Sequence, residues 1–322
     1  MILQIKDKIN FLVLSDGCCG SAWLAANLDR HPLVACTCGF GVGLEVDHID
    51  GGIWIDRKIR GDRMTKKYQA NSVTDHFELI EKKYPSALVL GDVHGFTVDQ
   101  YLRNLQLKGV HDSTRLAHLI RHPITYFERS LQHYIWAFEE YGEEFSKPIL
   151  NKAQSLHNAI KLDRFYEFDP SDLRMVCFLS CLQDFPNHAE NVWLARNIKT
   201  IYFEKMLSDP DYYADVVRHL TGGQVEVHSD YLEEVFSSES VQNTGRIMKT
   251  TCTYKSDPML QFNEWSNLEQ ELFTVFICSL NLTEKYSHCD YDLSHWKSRQ
   301  STLANVASDH DRSPSMLLSK SM

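Results

Sequence analysis

The chain has 322 residues, 43% of them apolar and 24% charged, the composition of an ordinary globular protein long enough to bury a full core. Its net charge of −10 and pI near 5.8 exclude a protein built to ride on nucleic acid, because phosphate neutralisation needs a basic face, and they disfavour heparin-like polyanions for the same reason. No apolar run reaches the roughly 18 to 20 residues of a membrane span. No charged leader precedes an apolar stretch with a cleavage site, and nine scattered cysteines read as reduced thiols, so a cytoplasmic chain without a signal peptide is expected.

Short apolar runs alternate with helical patterns through the first third, which predicts an α/β fold with a central parallel sheet flanked by helices. Phe11 to Ser15 reads as the first strand, Asp16 to Gly20 as a turn, and Ser21 to Arg30 as a helix that stops at His31-Pro32. Leu33 to Cys36 is a second strand. Cys36 and Cys38 form a C-x-C, but no second Cys/His pair at zinc spacing follows nearby, so alternation along a strand accounts for them and no metal is expected. Gly39 to Ala70 lacks periodicity and is expected to be a loop over a site.

Leu88 to Leu90 is a third strand, Val98 to Leu107 a helix, Leu116 to Ile120 a fourth strand, and Ile124 to about Tyr141 an aromatic helix. A mostly helical insert follows over about 141–197, with Pro170 and Pro186 as breaks. Thr200 to Phe203 returns to a strand, and Asp211 to Leu220 is a helix closed by Gly222-Gly223. The expectation is a single α/β domain over 1–297. The Ser-rich stretch 298–322 is expected to be a disordered tail.

A strand, a tight turn and a helix N-terminus present backbone N–H groups and a positive dipole end to an anion. Asp16 to Trp23 (DGCCGSAW) occupies that place, with small residues at Gly17, Gly20, Ser21 and Ala22 and a hydroxyl donor at Ser21. The G-x-x-x-x-G-K-[ST] of nucleotide triphosphatases is absent, which argues against a kinase-like phosphotransferase. Taken alone, the same turn also reads as a tight βα connection that binds nothing.

Cys18-Cys19-Gly20-Ser21-Ala22-Trp23-Leu24 followed by His31-Pro32 resembles the phosphosulfate-binding loop of the sulfotransferase family, of the form R-S-G-T-T-W-L with H-P later. Leu119-Ile120-Arg121-His122-Pro123 is similar to that family's [LIV]-[VI]-R-[ND]-P strand end, whose Arg holds the nucleotide 3′-phosphate. The family's Ser, eight positions after that Arg, falls on Arg129 here, with Ser130 one step late. Ile201 to Pro210 with Leu220-Thr221-Gly222 resembles the family's Y-E-D-L-x-x-D-P run and closing F-L-G. Gly245, Arg246 and Lys249 resemble its basic loop over the nucleotide, and Trp265 follows Asp257-Pro258 where the family often has Trp after Ser-Pro.

The resemblance spans Phe11 to Tyr286 and implies a P-loop-like sulfotransferase fold. It implies as co-substrate 3′-phosphoadenosine 5′-phosphosulfate (PAPS), with adenosine 3′,5′-bisphosphate as product and a small-molecule or sugar hydroxyl, or an amine, as acceptor. Cys18, Cys19, Gly20, Ser21, Ala22, Trp23, Arg121, Arg129, Ser130, Gly245, Arg246 and Lys249 are the implied contacts. The chain departs from the pattern at Cys18, where the family carries a basic residue, and at Val93, where Gly91-Asp92-Val93-His94-Gly95 replaces a Lys-containing segment.

Transfer to a hydroxyl needs its proton removed. His94, with Asp92 to orient it, is the candidate base, and Glu45 is a rival beside Asp47 and His48. Arg121 and Arg246 also read as solvated charges and His94 as a turn residue. A catalytically weak nucleotide-binding or scaffolding protein on the same fold is the alternative function.

Overall fold

The computed structural model describes residues 8–38, 53–54, 73–104, 114–140, 143–159, 167–237 and 257–296. Two compact units form, Met1–Arg121 with Leu194–Tyr254 and His122–Trp193 with Lys255–Met322.

The first unit is built on a six-stranded sheet. In chain order its strands are β1 (Ile9–Leu14), β2 (Val34–Cys38), β3 (Ile53–Trp54), β4 (Val89–Val93), β5 (Arg115–Ile120) and β6 (Lys199–Tyr202). Their spatial order is β3-β2-β4-β1-β5-β6. All neighbours pair in parallel except β3, which runs antiparallel to β2 through Thr37 and Cys38. β2 and β4 are buried along their whole length and β1 over its last four residues, as near-continuous apolar strands covered on both faces must be.

The helices α1 (Ser21–Arg30), α2 (Val73–Lys83) and α3 (Val98–Asn104) precede α4 (Pro123–Glu140), α5 (Glu143–Ala159) and α6 (Leu173–Leu194). Then come α7 (Phe203–Ser208), α8 (Pro210–Thr221), α9 (Ser229–Phe236), α10 (Pro258–Asn263), α11 (Asn267–Ser279) and α12 (Leu282–Lys285). On one sheet face Leu12, Leu14, Ala35 and Leu90 pack with Val73, Phe77 and Ile80 of α2 and with Val98 and Tyr101 of α3. Residues of the opposite parity, Ile9 and Phe11, look the other way. There α8 lies on β1 and β5 and brings its C-capping Gly222 against Ile9, while the Phe11 ring fills the space a side chain at Gly91 would need.

Strand order marks the place where a sheet of this kind receives a ligand. The chain leaves β1 for β2 on one side of the sheet, whereas it leaves β4 for β5 across β1 to the other side. Adjacent strands with connections of opposite direction leave room at their carboxyl ends, and in sheets of this kind ligands enter there. In this molecule the place is between the ends of β1 and β4.

The second unit is helical. Phe127 of α4 packs among Phe178, Phe185, Trp265 and Phe273 with ring centroids 5.0–5.8 Å away. The buried Trp265 indole donates to Glu128 Oε2 at 2.7 Å, and Arg174 Nε donates to Glu269 Oε1 at 2.7 Å. Ser266 and Glu269 cap α11 reciprocally.

Two expectations need correction. Pro186 lies inside α6 and does not end it. It forfeits the backbone bond to Leu182, but Leu182, Phe185 and Ala189 around it are all buried, and that packing outweighs one lost hydrogen bond. The stretch 39–70 is not all loop, since β3 falls within it; its remaining residues lie outside the described ones, as does the expected tail from Ser298. Among the described residues no helix is long and apolar enough to cross a membrane.

Candidate active site

The end of β1 runs through Ser15 and Asp16 into a turn whose backbone is left-handed at Gly17 (φ 83°), Cys18 (φ 52°) and Gly20 (φ 86°). Gly20 is irreplaceable on two counts. Its φ suits only glycine, and a Cβ there would stand 2.1 Å from Phe203 Cε2. Gly20 is also the N-cap of α1; it has no side chain to cap the helix, and no acidic residue stands in the first turn. The first turn of α1 is therefore a positive helix end whose own N-cap residue supplies no side-chain acceptor.

Arg121, one residue beyond β5, reaches this turn. Its Nη1 donates to the Cys18 carbonyl oxygen at 3.1 Å, and its guanidinium carbon lies 4.4 Å from the centre of the Phe203 ring. The residue matching the family's 3′-phosphate Arg and the residue at the family's cation slot are thus direct neighbours. β5 pairs with β1, so the two strand ends emerge side by side although the residues are 103 apart in sequence.

The turn residues have separate surroundings. Cys18 is partly exposed. Cys19 is fully buried, and burial raises its thiol pKa well above the ordinary value, so it stays protonated. Ser21 is buried, and burial pushes the Cys38 thiol up to about 12. Ala22 is half-buried, and Trp23 packs edge-on against Tyr213 and Phe236.

His94 follows β4 with a left-handed backbone (φ 70°). Its N–H donates to Val13 O at 2.8 Å and its Nδ1 lies 2.8 Å from Ser15 O. A carbonyl only accepts, so Nδ1 carries the proton and the Nε2 lone pair of the neutral ring is available. The ring edge bearing Cε1 and Nε2 faces Gly17, where a Cβ would stand 3.3 and 3.6 Å from those atoms. Among the described residues Nε2 makes no hydrogen bond.

Asp92 does not orient His94. It is 1% exposed, and its Oδ2 accepts from the Thr37 hydroxyl at 2.5 Å and stands 3.6 Å from His76 Nε2. Successive residues of a strand alternate faces, but two residues on, β4 has ended and the chain turns left-handed at His94, which hands the imidazole to Ser15. The pairing of Asp92 with Thr37 follows from the β2–β4 register, which sets the two directly across from each other. Val93 is fully buried, so the position that carries Lys in the family gives the crevice no side chain.

Arg129 and Ser130 lie on α4 in the second unit, both half-buried, with Arg129 Nη1 donating to Gln132 Oε1 at 3.3 Å. Glu45, Asp47, His48, Gly245, Arg246 and Lys249 lie outside the described residues. Among the described residues no group of three or more side chains suits a metal ion. Cys36 and Cys38 sit within buried β2, and burial raises both thiols. Motif reading missed Ser15 and Phe203; the one available signal was position, since they begin the turn after β1 and the helix after β6.

No family model matches the chain, and no curated protein matches it. Solved structures to which it is similar are sulfotransferases. One, from Alicyclobacillus acidocaldarius, is 16% identical with a TM-score of 0.44, covering 90% of this chain and 99% of that one. The sulfotransferase domain of the Synechococcus PCC 7002 olefin synthase is 14% identical with a TM-score of 0.39, covering 89% and 96%. A mouse sulfotransferase complexed with PAP is 13% identical with a TM-score of 0.42, covering 88% of this chain and 86% of its own.

Proposed function

We propose that the chain binds PAPS and transfers its sulfuryl group to a hydroxyl or amine of a small-molecule or carbohydrate acceptor. The observation that carries this reading is the contact of Arg121 with the Cys18 carbonyl, which places a guanidinium beside the N-terminus of α1. The donor set fits a ligand anionic at both ends. A planar guanidinium forks onto phosphate oxygens, and helix amides surround a compact oxyanion.

When bound, PAPS supplies an activated sulfuryl group, which leaves its bridging phosphate oxygen as the acceptor atom bonds to sulfur, with adenosine 3′,5′-bisphosphate released. The α1 amides stabilise negative charge on the oxygens around sulfur. Arg121 holds the 3′-phosphate and lends positive charge to a turn in which Cys18 has none. His94 Nε2 takes the acceptor proton, and the Ser15 carbonyl stabilises the imidazolium so formed.

A second reading, a nucleotide-binding protein with weak turnover, is favoured by one observation: the positions where the family carries cations hold a cysteine at Cys18 and a fully buried Val93. Calorimetric titration with adenosine 3′,5′-bisphosphate tests both. Binding accompanied by sulfuryl transfer to any of a panel of hydroxyl and amine acceptors supports the first reading, binding without transfer supports the second, and absence of binding overturns both.

A further inference from the structure

Ser15 stands directly after β1, fully buried, and every polar atom it has is engaged. Its N–H donates to Phe96 O at 3.1 Å, and its carbonyl accepts from His94 Nδ1 at 2.8 Å. Its hydroxyl accepts from the Gly17 N–H at 3.3 Å. The first pair of bonds ties the end of β1 to the segment after β4. The bond from Gly17 ties it to the turn before α1.

We infer that Ser15 is a positioning residue that locks the candidate base and the candidate anion turn into one register. The consequence for catalysis rests on the proposed transfer reaction; the coupling itself rests on the geometry alone. Free neutral histidine carries its proton mainly on Nε2, and a fixed carbonyl opposite Nδ1 reverses that preference. The direction of that carbonyl is held by the hydroxyl on the same residue. Without the hydroxyl, the Gly17 N–H loses its acceptor inside a turn already left-handed at Gly17 and Cys18. The peptide at residue 15 is then free to rotate, and His94 loses its single tautomer together with its aim at Gly17.

Protein labelled with 15N-histidine, read without ligand by long-range 1H–15N correlation at about pH 8, where an ordinary imidazole is neutral, reports the tautomer directly. His94 is identified by the signals that vanish in His94→Gln. The expected parent spectrum shows Nδ1 protonated and Nε2 bare, and Ser15→Ala moves the population toward Nε2–H. In the transfer assay Ser15→Ala lowers kcat ~10-fold while the acceptor KM changes less than ~2-fold, the mark of a group needed in the transition state and not for binding. A parent His94 protonated on Nε2 overturns the inference, as does a folded Ser15→Ala with parental tautomer and kcat. Should Ser15→Ala not fold, the parent spectrum decides alone. A parent that ignores adenosine 3′,5′-bisphosphate overturns only the transfer reading, because the tautomer is measured in its absence.

Discussion

The Arg121 guanidinium donates to the backbone carbonyl of Cys18 across 3.1 Å, joining the end of β5 to the turn that opens α1. Arg121→Ala is expected to weaken adenosine 3′,5′-bisphosphate binding ~10- to 100-fold, the worth of a charge-assisted hydrogen bond. Arg121→Lys restores little, because a point charge neither forks onto phosphate nor stacks on Phe203. Calorimetry checks both, and parental affinity in Arg121→Ala refutes the role.

His94→Ala is expected to lower kcat for sulfuryl transfer by ~100-fold or more, the usual worth of a general base, with nucleotide affinity close to parental. Parallel loss of affinity and turnover would show that the imidazole supports the turn and takes no proton.

Cys18 occupies a partly exposed, left-handed position in the turn before α1, and in the proposed reaction a cation there would meet the transferring group. Cys18→Lys is expected to raise the rate of transfer ~10-fold, since one added charge beside a developing anion is worth more than about 1 kcal/mol. A slower Cys18→Lys enzyme would show that the thiol is suited to its acceptor.

Gly20→Ala combines a φ of 86° with a Cβ 2.1 Å from Phe203, so a loss of about 2–4 kcal/mol in urea unfolding is expected. Gly223→Ala, with φ 72° and open space around it, is expected to cost only about 1 kcal/mol. Equal losses would show that the Phe203 contact contributes nothing.

His122 in the second unit is buried and held down to about 4 by desolvation. Its Nδ1 accepts from the Ile124 N–H at 3.3 Å, a bond that protonation destroys. Between pH 6.5 and about 4 the unfolded chain binds the proton that the folded chain refuses. The stability from this group is therefore complete above pH 6.5 and is lost as pH falls through that window, by about 3 kcal/mol in total. His122→Asn, which keeps an acceptor for Ile124, is expected to flatten the dependence of the urea midpoint on pH. His133, also held down by burial, contributes the same sign in both proteins. An unchanged slope in His122→Asn would contradict the assignment.

Residues within a few positions of one another announced much of this molecule. The run Phe11 to Leu14 followed by a glycine turn and the helical spacing of Trp23, Leu24 and Leu28 gave β1, the turn and α1, because a strand, a tight turn and an amphipathic helix each write a short period into the chain. The same holds for α8, whose stop at Gly222-Gly223 matches a left-handed C-cap. Pro186 misled for a complementary reason. Its local effect is to break a helix, and only the buried packing of its neighbours in α6 overrules it.

Composition and local pattern by themselves settled that the chain alternates strands and helices around a parallel sheet, and where a tight glycine turn joins β1 to α1. The tertiary structure alone decided that Arg121 meets the Cys18 carbonyl, that the Ser15 carbonyl and not Asp92 meets the His94 ring, and that Asp92 lies against Thr37 and His76. The reason is physical: strand order and register bring together Thr37 and Asp92, 55 residues apart, and Cys18 and Arg121, 103 apart, and no short period in a sequence records which strand will lie beside which.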